Sequence, residues 1–144
     1  MSKNKLVLQI MTMPSDCNPQ GKIFGGFIMS KMDQAAGTIC KTYDYVTKAA
    51  TDIIFHAPVE VGDIVQCYAE IVKSGKTSHT IKVDVHVDDE FHTKVCEGVY
   101  TMVRTDSRGR PVPHPESSQR AHDRPRCPRE HGSTSPARAC AGRR

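Results

Sequence analysis

Between Pro14 and Asp33 a turn-forming stretch containing Asn18, Pro19 and Gly21 runs through the pair Gly25-Gly26 into an apolar pattern of helical period. Backbone N–H groups in the first turn of a helix lack intrahelical acceptors and carry the positive end of its dipole, so they suit a developing anion. Glycine at that point lets a carbonyl approach the backbone closely. Asp33 follows two turns later. Anion donors plus one carboxylate form a minimal set for hydrolysing an acyl bond.

The position of Asp33 on its helix argues against an ordinary solvated carboxylate. At roughly 100° per residue with Ile28 at zero, Met32, Ala35, Ala36 and Ile39 fall within about 80° of Ile28. Ser30, Lys31, Gln34, Thr38 and Lys41 form the polar arc, whereas Asp33 lands near Met29 and Cys40, on the rim of the apolar face.

These residues need a scaffold, and the rest of the chain supplies one. The pattern predicts a strand over Leu6–Met13, a helix over about Gly26–Tyr43, and strands over Ala49–Ala57, Asp63–Ser74, Thr77–Asp88 and Thr93–Thr105. The Thr77–Asp88 stretch alternates, with Ile81, Val83, Val85 and Val87 on one face and Lys82, Asp84 and His86 on the other. Long consecutive strands with short turns imply an antiparallel sheet, and a single amphipathic helix must bury its apolar face on that sheet, an α+β arrangement.

The 144 residues suffice for one domain. The net charge of +4 is unevenly spread. Residues 120–144 hold seven arginines against Asp123 and Glu130, so they carry +5 and leave −1 to residues 1–119. A near-neutral body gives no electrostatic basis for a nucleic-acid or membrane partner. No apolar run approaches the ~18 residues of a membrane span, and no signal-peptide cleavage pattern is found. Six cysteines occur singly without a Cys-x-x-Cys pair, which suits reduced thiols and a cytoplasmic location. Residues 120–144 lack Leu, Ile, Val, Phe, Met and Tyr, so a folded domain over 1–115 and a disordered Arg/Pro-rich tail over 116–144 are expected.

Four blocks together are specific: Met13 to Gly21, Phe24 to Asp33, Phe55 to Asp63, and Gly109 to Pro111. On these the chain resembles a subunit of the hotdog-fold cytosolic acyl-CoA thioesterases, over roughly residues 5–115. The resemblance implies an antiparallel sheet wrapped around one long central α-helix, homodimers at minimum with a trimer of dimers expected, and hydrolysis of acyl-CoA to CoA and a free acid without a metal or bound cofactor. It places the catalytic carboxylate at Asp33, the polarising amides at Gly25 and Gly26, and their polar partner at Asn18. Phe24 stands where many relatives have His. The stretch Lys48–Asp52 lacks the Arg-containing or Val-Thr pattern of many relatives, which leaves acyl preference open.

Asp33 then acts as general base on water or attacks directly, two routes that the sequence leaves open. Gly26 and Asp33 lie seven residues apart, about 10.5 Å along a helix, so a shared site is expected in which a two-fold partner supplies the carboxylate. The phosphates of CoA need cations at the mouth of the site, for which Lys76, Thr77, Ser78 and Arg104 are candidates. The seven histidines show no zinc-ligand spacing. A nucleophilic Cys40 paired with a histidine is less favoured than Cys40 as a small buried thiol. A hotdog dehydratase would want a histidine on the helix, and none lies between Gly25 and Tyr45. A non-catalytic acyl-CoA-binding module remains the alternative, disfavoured by the presence of Asp33.

Overall fold

The apolar period of residues 28–39 becomes one helix, and the alternating stretches become one sheet laid against it. The structure is a computed structural model and describes residues 3–115. Its elements are β1 (Lys5–Met11), a 3₁₀ turn (Pro14–Asp16), α1 (Gly25–Ile39), β2 (Tyr45–Phe55), β3 (Ile64–Ser74), β4 (Ser78–Val87) and β5 (Lys94–Arg104). All neighbouring strands are antiparallel, in the order β1-β3-β4-β5-β2. The α+β expectation of one antiparallel sheet and one helix therefore holds. The expected tail, with Cys127 and Cys140, lies outside the described residues. Among the described residues no helix is long and apolar enough to cross a membrane.

Helix α1 packs against all five strands. Its buried residues are Ile28, Met32, Ala35, Ala36 and Ile39, the apolar face set by the helical period. They meet Val65, Cys67 and Ala69 of β3, Ile81, Val83 and Val85 of β4, and Cys96, Tyr100 and Met102 of β5. At Gly98 the helix comes so close that an added Cβ would lie 3.0 Å from both Met32 Cε and Ile53 Cγ1. Glycine fits that approach without displacing either side chain.

Two boundaries differ from the sequence reading. Helix α1 stops at Ile39 rather than near Tyr43, because Lys41 takes a left-handed conformation (φ 62°) and the amides of Cys40 and Lys41 turn back to Gly37 O and Thr38 O. Strand β2 begins at Tyr45 rather than Ala49. Its first residues are largely polar and exposed, yet their backbone pairs with Arg104, Val103 and Met102 of β5. A non-local ladder made this a strand where side-chain pattern alone did not. On β4 the inward valines are buried as expected, but the outward Asp84 is buried too, covered by Lys82 and Lys94, whose Nζ atoms lie 3.8 and 3.0 Å from its Oδ1.

Candidate active site

The loop before α1 is built around Asn18. Its side-chain Oδ1 accepts the backbone N–H of Gln20 (3.0 Å) and of Lys22 (3.1 Å), while its own N–H donates to Lys22 O (2.7 Å). Gly21 completes the turn at φ 80°, a region other residues rarely adopt. Two amide donors on one atom identify it as the oxygen, so the carbonyl half of Asn18 shapes the loop and the Nδ2 amino group remains free to donate. The loop is tied down by Phe24 N to Asp16 O (2.8 Å) and Ile23 N to Val59 O (2.9 Å).

The start of α1 is left uncapped. Phe24, the N-cap, is extended and provides no side-chain hydrogen bond. The amides of Phe27 and Ile28 reach back to Phe24 O, but those of Gly25 and Gly26 find no acceptor among the described residues. Aromatic rings flank both glycines. A Cβ on Gly25 would sit 3.4 Å from the Phe55 ring, and one on Gly26 only 2.5 Å from Phe24 Cε1.

Asn18 and Gly25 line one cavity of about 410 Å³, with Ile23, Ile28, Phe55 and Val59 among its apolar walls. His56 sits on the same lining, and its Nε2 is 3.4 Å from Glu97 Oε2. A hydrogen bond from Lys94, foremost, holds Glu97 below the usual carboxylate range. Polar donors at the edge of an apolar hollow give a site that can seat an acyl chain and hold its carbonyl.

Asp33 does not line that cavity. It is half-buried two turns along α1, where it accepts a hydrogen bond from the hydroxyl of Thr47 on β2. It forms no ion pair among the described residues. Tyr100 lies nearby, its hydroxyl donating to Met29 O (3.2 Å). Burial first, and then the charge of Asp33, push the Tyr100 phenol up to about 12, so it remains a proton donor. Thr47 is the residue that sequence reading missed. It is fourteen positions from Asp33, across the end of a helix, and meets it only because β2 starts early enough to pass alongside.

The four candidates for CoA divide. Thr77 and Ser78 line a second cavity of about 360 Å³, together with Thr47, Lys48, Thr101 and Pro111. Lys76 is exposed beside it in the β3–β4 turn. Arg104 is committed elsewhere: Nη1 donates to Pro113 O (2.6 Å) and Nη2 to Asp44 Oδ2 (3.4 Å). Cys40 is no nucleophile in this setting. Its thiol donates to Ala36 O (3.4 Å), and burial pushes it up to about 11, so it stays protonated.

The Thioesterase superfamily profile matches residues 20–90. An acyl-CoA thioester hydrolase of Zymomonas mobilis is 39% identical over 118 residues, covering 78% of this chain and 79% of that protein. A hexameric thioesterase from Yersinia pestis superposes with a TM-score of 0.74 at 37% identity, over 80% of this chain and 98% of its own. An acyl-CoA hydrolase from Staphylococcus aureus, solved with butyryl-CoA and CoA, gives a TM-score of 0.67 at 27% identity, over 74% of this chain and 68% of that one. That hydrolase has also been solved as an aspartate-to-alanine and as an asparagine-to-alanine variant, and the two altered residues are fifteen apart. Asn18 and Asp33 have the same separation.

Proposed function

The chain belongs to the acyl-CoA thioester hydrolases of the thioesterase superfamily, hotdog-fold enzymes, and we propose that it hydrolyses acyl-CoA to CoA and a carboxylic acid at a site shared between two subunits. The single observation that carries the shared site is the separation of parts. Asn18 and Gly25, whose amide finds no acceptor among the described residues, line one cavity, and the carboxylate of Asp33, without an ion pair among the described residues, lies outside it further along α1.

The thioester oxygen accepts hydrogen bonds from the Gly26 amide, with Gly25 beside it, and from Asn18 Nδ2. These donors stabilise the charge that builds on oxygen as the carbonyl is attacked. Asp33 of the facing subunit takes the proton from the attacking water, with Thr47 holding one carboxylate oxygen so that the other faces the substrate. The thiolate of CoA leaves as the tetrahedral centre collapses. Lys76, Thr77 and Ser78 meet the phosphates of CoA, and Arg104 holds the segment that frames them. Subunits pair as homodimers, with a trimer of dimers as the full assembly. Two relatives of this fold are described as hexamers.

Thiol release, followed across acyl-CoAs of increasing chain length, tests the activity. Turnover that saturates with acyl-CoA and disappears in Asp33→Ala is expected. A wild-type chain that binds acyl-CoA without releasing thiol would instead make it a binding module.

A further inference from the structure

At the far end of the sheet, residues 105–115 double back over the β3–β4 turn. Val112 N donates to Arg104 O (2.9 Å) and His114 N to Lys76 O (3.1 Å), and Thr105 bridges Pro111. Underneath, the rings of Tyr45, His79 and His114 are stacked, with the two imidazole centroids 4.0 Å apart and only 7° from parallel. Four polar contacts join them. Ser74 Oγ is 2.8 Å from His79 Nδ1, His79 Nε2 is 3.2 Å from Tyr45 Oη, Tyr45 Oη is 2.6 Å from His114 Nδ1, and His114 Nε2 is 3.1 Å from Ser78 O.

The direction of every hydrogen in this chain follows from its last member. Ser78 O is a carbonyl and can only accept, so His114 Nε2 carries a proton and, in the neutral ring, Nδ1 accepts. Tyr45 must then donate its one hydrogen to His114, so its oxygen accepts from His79 Nε2–H. His79 Nδ1 is left to accept from the Ser74 hydroxyl. With both rings neutral, each is the Nε2–H tautomer, and all four contacts are satisfied at once. A proton added at His114 Nδ1 faces the Tyr45 oxygen, which already accepts from His79, and the phenol hydrogen loses its acceptor.

We propose that Ser74, His79, Tyr45 and His114 form a proton-operated latch, which holds residues 105–115 on the body while the His114 imidazole is neutral and releases them on acidification. The surroundings favour the neutral state. Arg104 of β5 is a fixed cation close to Tyr45, partly offset by Asp44 from the turn before β2, and Cys40 at the end of α1 is uncharged. Burial, and then His114, hold the His79 imidazole below its usual range. Release has a consequence for the cavity beside it. Gly109 and Pro111 of this segment wall the hollow that Thr47, Thr77 and Ser78 also line, so acidification strips one wall from the residue that holds Asp33.

Nitrogen-resolved NMR of the full chain reads the tautomers, and amide hydrogen exchange, corrected for intrinsic rates, reads the latch. Both histidines should be Nε2–H near neutral pH. Protection of the Val112 and His114 amides should fall by about tenfold for each pH unit below about 6.5, while the Val83 and Val85 amides keep theirs. Tyr45→Phe keeps the ring stack but removes the hub. It should lower protection at these two amides at neutral pH to the acid level and abolish its pH dependence. Unchanged protection of Val112 and His114 down to about pH 5.5, a loss shared equally by Val83 and Val85, or an Nδ1–H tautomer at either histidine would each overturn the latch.

Discussion

In the proposed mechanism the start of α1 and its middle carry opposite halves of one chemistry, and they are built by different means. At Gly25 and Gly26 the functional groups are backbone amides, present because a helix must begin somewhere and because no side chain caps this one. At Asp33 the functional group is a side chain, and its placement depends on a hydroxyl from another element, Thr47 on β2. The donor half is thus encoded within a dozen residues of contiguous sequence, whereas the carboxylate half needs the sheet. Damage to the first should act through loss of a donor, and damage to the second through loss or misplacement of a base.

Asp33→Ala should cause the largest loss. Removing a placed base costs up to about 10⁴-fold in kcat/KM. Because Asp33 has no ion pair among the described residues, thermal stability should change little. Activity above about a tenth of wild type, with substrate saturation intact, would leave Asp33 without its proposed role.

Asn18→Asp probes the donor half selectively. The new carboxylate still accepts the Gln20 and Lys22 amides, so the loop and the melting temperature should be preserved. The Nδ2 donor is replaced by negative charge next to the developing oxyanion, and kcat should fall by about 10²–10³. A drop in melting temperature with kcat unchanged would reduce Asn18 to a loop-forming residue.

Gly98→Ala strikes the floor common to both halves. The added methyl meets Met32 and Ile53 at 3.0 Å, and overpacking should cost about 1–3 kcal/mol of unfolding free energy, readable by denaturant titration. Donor and base both remain present and only their placement shifts, so kcat should change less than in either substitution above.

Thr47→Val should be the mildest of the four. The carboxylate survives but loses its tether, and kcat should fall by about tenfold, the equivalent of one hydrogen bond to a charged group. Thr47→Ser keeps the hydroxyl and should restore most of the activity. Equal activity in Val and Ser variants would mean that Thr47 does not position Asp33.

What sequence could reveal follows the same division. The buried face of α1 was legible residue by residue, since Ile28, Met32, Ala35, Ala36 and Ile39 obey one period. The loop around Asn18 was legible from its turn residues, although not that Oδ1 is consumed by the loop and only Nδ2 is free. Thr47 was not, because β2 starts in polar, exposed residues whose strand identity comes from pairing with β5. Arg104 looked like a free cation at a strand end. Its partners, Asp44 and Pro113, lie on separate segments that only the fold brings together. The Tyr45, His79 and His114 stack joins three segments in the same way, and the spacing of histidines along the chain carried no sign of it.

The shared site itself is tested by complementation. One differently tagged chain carries Asp33→Ala and the other Gly26→Pro, which removes the amide donor; the Phe24 ring, 2.5 Å from a Cβ at this position, must swing aside, so assembly of that chain is checked first by its size in solution. Each alone should assemble and be inactive. Assemblies purified through both tags should recover on the order of a quarter to a half of wild-type kcat, because some sites then join an intact Gly26 to an intact Asp33 across the interface. Mixed assemblies as inactive as their parents would show that each chain must supply its own base.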